Sequence, residues 1–122
     1  MSDLRERYLQ IRPTATKVCK ALLAEIEKIG VDKDSINPRL ERAKFELVRD
    51  PALGECSLIG IWRNPDGTKQ GELLFHEDGT FFAEYDVVCP HPHDKRWFIE
   101  AVTAWGKGDE VKSELRLLPA MG

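Results

Sequence analysis

The sequence predicts an α+β domain, with an N-terminal helical segment packed on one face of a five- or six-stranded antiparallel meander sheet. Three observations carry this. An apolar stripe at helical spacing is confined to residues 1–30. From residue 43 to 118 the chain runs through short β-rich segments broken by glycine-containing turns. Those turns are too short to hold a crossover helix, so the strands pair with their sequence neighbours, antiparallel.

The helical segment opens on "SDLRE", a capping box with Ser2 or Asp3 as N-cap and Glu6 reaching back. Leu4, Tyr8 and Ile11 then share a face. Pro13 is expected to end a short helix or to begin the next at its first turn, where the missing N–H costs nothing. From Thr14 to Ile29 the stripe is Ala15, Val18, Cys19, Leu22, Ile26 and Ile29, closed by Gly30. Cys19 lies within the stripe and reads as a small buried apolar residue. "DKDSINPRL" is a loop, and "AKFELVR" alternates as a strand, although a helix over residues 38–48 fits its spacing nearly as well.

The remaining strands are "SLIGIWR", "QGELLF", "TFFAEYDVV", "RWFIEAVTAW" and "EVKSELRLL", divided by "NPDGT", "HEDGT" and "GKGD". A one-residue slip would move every side chain to the opposite face, so the turns decide the face map. With Pro65–Gly67 and Glu77–Gly79 as three-residue turns carrying a glycine bulge, Phe75 lies opposite Phe81, Leu73 opposite Ala83, and Ile59 opposite Leu73. The expected core face is then Ile59, Ile61, Leu73, Phe75, Phe81, Ala83, Tyr85, Val87 and Cys89. A four-residue "GKGD" loop adds Phe98, Val102, Ala104, Val111, Leu115 and Leu117. The amphipathic helix covers this side.

The same registers place Trp62, Trp97 and Trp105 together on the other face, with Leu58, Leu74, Phe82, Ile99 and Thr103. Among them stand Glu72, Glu84, Asp86, Glu110, Lys112, Glu114 and Arg116, with His76 near the rim. Glu72 faces Glu84, an arrangement that calls for a nearby cation. Aromatic groups amid a few converging carboxylates suit either a partner-binding surface or a small-molecule pocket.

"VVCPHPHDKRW" gathers Cys89, His91 and His93 at alternate positions. On a straight strand residues 89 and 93 lie about 13 Å apart. One ion spans only roughly 10 Å between the Cβ atoms of a cysteine and a histidine. Three-way ligation therefore fails, and the prolines favour a polyproline twist that separates the side chains further. At most two of the three could share a metal, with His76, Asp86 or Asp94 as further donors. A Cys89–His91 nucleophile pair would need an electropositive setting to activate the thiol, whereas Cys89 continues the apolar face. The stretch reads best as a stiff connection at a sheet edge.

The chain has 122 residues, a single domain's length, with formal net charge −3. Residues 1–50 hold 11 basic and 9 acidic side chains and residues 51–122 hold 7 and 12, so the strand-rich part is acidic and nucleic acid is not expected as a partner. No apolar run is long enough to span a membrane and no leader is visible. Three cysteines without a CxxC pair suit a reducing, cytoplasmic setting. No phosphate loop, nucleophile elbow or HExxH helix occurs. The expected function is a small non-enzymatic, cofactor-free binding or interaction module, self-pairing or binding another protein through Trp62, Trp97, Trp105, Glu72, Glu84 and Asp86. The alternatives are a small-molecule or enzymatic pocket on that face and a metal site at Cys89, His91 and His93.

Overall fold

The computed structural model describes residues 3–31, 38–49, 54 and 56–120. One helix, α1 (Asp3–Lys28), lies against a six-stranded antiparallel sheet whose strands follow chain order from edge to edge. The strands are β1 (Lys44–Arg49), β2 (Cys56–Arg63), β3 (Lys69–Phe75), β4 (Thr80–Pro90), β5 (Trp97–Lys107) and β6 (Glu110–Pro119). A short 3-10 turn at Leu40–Arg42 leads into β1, so the ambiguous segment is a strand. The expected N-cap at Ser2, and the side chain of Asp3, lie outside the described residues.

α1 passes straight through Pro13. The break expected there does not occur because the carbonyl deprived of its N–H belongs to Leu9. That residue is on the solvent side, where a carbonyl without an intrahelical partner costs least. Gly30 ends the helix at φ +79°, its N–H donating to the Glu27 carbonyl. Ala15, Val18, Cys19, Leu22 and Ile26 are buried, with Tyr8, Ile11 and Ile29 packed at the margins.

The turns Asn64–Thr68 and His76–Thr80 are built alike. In each, the glycine sits at φ +91° and an aspartate (Asp66 or Asp78) accepts from the backbone and hydroxyl of the following threonine. The last hairpin is tighter than "GKGD" implies. Lys107 pairs with Glu110, leaving a two-residue turn with Gly108 at φ +61°.

Three cross-strand rows make the inner face. Leu47, Leu58, Phe75, Phe81, Gly106 and Val111 form the first, and Phe45, Gly60, Leu73, Ala83, Ala104 and Ser113 the second. Trp62, Gly71, Tyr85, Val102 and Leu115 form the third. The small side chains of the second row leave depth for α1, which lies mainly over β5 and β6. Gly60 is required there: a Cβ would stand 2.5 Å from the Phe45 ring.

Candidate functional site

The outer face differs from the expected one in its tryptophans. Trp62 is 3% exposed and belongs to the helix-side core. Its ring meets Tyr85 edge to face at 5.2 Å, and its indole N–H donates to the Arg39 carbonyl at 2.7 Å. The cause is a bulge. Arg63 pairs with Lys69 but Trp62 with Gly71, so Gln70 is an extra residue that reverses the facing of all of β2. Leu58 and Trp62 turn inward, and Ile59 and Ile61 outward. Gly71 makes room, since a Cβ there would lie 3.1 Å from the indole and 2.5 Å from the Glu84 carbonyl oxygen.

A second irregularity corrects β5. Val87 and Val88 stand between Asp86, paired with Ala101, and Cys89, paired with Ile99. Glu100 is likewise extra relative to β6. Val88 takes φ +50°, a strained conformation for a β-branched residue. Across this bulge Ile99 rotates into the core at 0% exposure, and Phe98, expected inside, leaves it. Trp97 is half-buried at the start of β5, paired with Pro119. Of the three tryptophans, only Trp105 stands on the outer face beside Phe82.

What replaces the tryptophan cluster is a row that crosses the whole sheet: Glu46, Ile59, Leu74, Phe82, Trp105 and Lys112. Its four apolar members are half-buried or exposed, Phe82 reaching 36%. The next row is Lys44, Ile61, Glu72, Glu84, Thr103 and Glu114. Glu72 and Glu84 are thus paired as expected, and the cations that this requires are present. Lys69 lies 3.2 Å from Glu72 and Arg116 3.0 Å from Glu84. Asp86, one step further along β4, is held above its ordinary pKa by burial and then by Glu84. Thr103 is 2% exposed, and its hydroxyl has no hydrogen-bond partner among the described residues.

No protein-family model, curated protein or solved structure matches the chain. Geometry alone carries the functional reading.

Residues 91–96 form a turn braced by its own side chains and tied to the end of the chain, where the Ala120 backbone N–H donates to the Arg96 carbonyl at 2.8 Å. The backbone N–H groups of His93 and Asp94 both donate to His91 Nδ1 at 3.0 Å. Asp94 accepts from the backbone and guanidinium of Arg96, which brings its carboxyl down to about 2. The His91 and His93 rings are 6.3 Å apart, and no group of three His, Cys, Asp or Glu side chains among the described residues could hold a metal. Burial pushes the Cys89 thiol above its ordinary pKa, the opposite of activation. No helix of the described residues is long and apolar enough to cross a membrane.

Proposed function

We propose that the protein is a non-enzymatic interaction module that pairs with a second copy of itself through the outer face of its sheet. The observation that carries this is the apolar row Ile59, Leu74, Phe82 and Trp105, partly or fully exposed and covered by no element among the described residues, a composition that soluble surfaces seldom leave open over such a span. Six strands at about 4.8 Å spacing cover roughly 24 Å, and an eight-residue strand about 26 Å. The footprint of roughly 600 Å², before side-chain relief, approaches the roughly 800 Å² per partner of a standard interface.

Charge at the row ends selects the geometry. A two-fold axis running along the strands between β3 and β4 sets β1 over β6 of the other copy. Glu46 then meets Lys112, and Lys44 meets Glu114, at both ends of the interface. An axis across the strands would stack Glu46 on Glu46 and Lys112 on Lys112, so complementarity favours the first arrangement. The three cysteines are free thiols, which supports a reducing compartment and hence the cytoplasm.

Sedimentation of the wild-type chain over a wide concentration range should show a reversible dimer. Phe82→Lys should leave a folded monomer. Glu46→Lys or Lys112→Glu alone should weaken association about ten-fold, and the two together should restore it by exchanging the partners. A chain that stays monomeric throughout refutes self-pairing. A double exchange that fails to restore what the single changes lose refutes the axis.

A further inference from the structure

On the helix side of the molecule, a cleft of about 350 Å³ opens between α1 and residues 38–41. Its apolar lining comes from Tyr8, Leu23, Pro38 and Leu40, with Cys19 among the lining residues. Around it stand Arg12, Lys20 and Arg39, all exposed, against the single carboxylate of Glu41. None of the three cations forms an ion pair among the described residues.

Both walls are fixed by the core. Tyr8 rests edge to face on Phe45 at 5.0 Å. The Arg39 carbonyl accepts from the Trp62 indole at 2.7 Å and from the Arg42 backbone at 3.1 Å. The cleft is therefore already formed before anything enters it, as small-molecule sites usually are.

We propose that this cleft binds a small amphipathic anion, with its apolar tail between Tyr8, Leu23 and Leu40 and its carboxylate held by Arg12, Lys20 and Arg39. At about 30 Å³ for each water-sized group, the volume holds roughly a dozen non-hydrogen atoms, the size of a medium-chain fatty acid such as decanoate. A neutral ligand would leave the excess of positive charge in the lining, three cations against Glu41, unmatched, and a cationic head would be repelled by it. Binding is reversible. Burial, with Glu41 second, pushes the Cys19 thiol up to about 12, so no thiolate is available to attack the ligand.

The test titrates the full chain with decanoate, decanol and decyltrimethylammonium, following tryptophan fluorescence and thermal unfolding. Trp62 touches the cleft wall through Arg39 and serves as the reporter. Decanoate should saturate, raise the melting temperature and leave no mass adduct, with the other two at least ten-fold weaker. Lys20→Glu with Arg39→Glu, both on exposed positions, should weaken decanoate at least ten-fold while the free variant melts as wild type. Thr16→Trp, which fills the cleft from the helix, should block it. Phe82→Lys on the sheet's other face should leave decanoate binding unchanged, which separates this site from the self-pairing surface. Equal binding of the three probes, no saturation by decanoate, or an unaltered affinity after charge reversal overturns the proposal.

Discussion

The two faces of the sheet use the same strands to opposite ends. Inside, the middle row is made mostly of small residues between two bulkier rows, so that α1 can settle there, and Leu22, Leu58, Leu73, Val102 and Ala104 reach 0% exposure. Outside, an apolar row of comparable bulk is covered by no element among the described residues and ends in opposite charges. The inner face is specified by volume, where one methylene matters. In the proposed self-pairing, the outer face is specified by which charge sits at which end, as befits a surface that must first exist in water. Trp62 and Trp105 make the contrast sharp, since one residue type stands on each side of one sheet.

The largest expected effect tests that contrast directly. Trp62→Ala removes a buried indole, its edge contact with Tyr85 and the hydrogen bond that anchors Arg39, at a cost of about 3–5 kcal/mol. Trp105→Ala, at a half-buried outer position, should cost the monomer only about 1 kcal/mol. Denaturant unfolding at a concentration where the chain is monomeric measures both. Comparable losses would mean that the outer face is as much a core as the inner one. Under the proposed self-pairing, the same substitution at Trp105 should appear instead as a weaker association in sedimentation.

A smaller effect comes from a buried outer residue whose hydroxyl is unsatisfied among the described residues. Thr103 carries a hydroxyl that no described group satisfies, a defect worth about 1 kcal/mol against an apolar isostere. Thr103→Val should therefore raise the melting temperature by roughly 4 °C. A fall would show that the hydroxyl is engaged, and the outer face would then be wetter than its neighbours suggest.

The architecture could be read from the sequence because its signals are local: helical spacing over 14–29, period-two runs, and two turns whose aspartate, glycine and threonine dictate their own geometry. Register across β3–β4 followed from the turn, so Glu72 opposite Glu84 was legible as well. The facing of β2 was not. One inserted residue, Gln70, undoes it, and a bulge leaves no mark in the apolar pattern. The available signal was glycine. Gly60 and Gly71 lie inside strands, where glycine weakens pairing unless something bulky must come close; here those bulky groups are Phe45 and Trp62. In β5 the run Ile99 to Ala104 is buried at five of six positions, so no alternation existed to read. The cleft was invisible because its lining joins α1 to a turn that only the tertiary fold brings near.

The smallest predicted effect concerns the acids of the outer face. Asp86 is half-buried beside Glu84, with Glu100 adding to the repulsion, while Lys69 and Arg116 pull the other way; the net result is a pKa above the ordinary 3.8. A carboxyl raised in the folded state opposes folding once ionised. Below the ordinary value both states are protonated and Asp86 is neutral in its effect. As pH rises through the window between the ordinary and the raised value, the unfolded chain loses its proton first. The folded chain then binds more protons, so stability declines with pH and the penalty persists above the window. Asp86→Asn cannot ionise and escapes it. The variant should melt higher than wild type near neutral pH, and the gap should close as the pH falls to about 3. A gap that stays constant over that range would assign the effect to packing instead of charge. The acidic row would then be an ordinary solvated surface, already balanced by Lys69 and Arg116, and the outer face would owe its character to its apolar row alone.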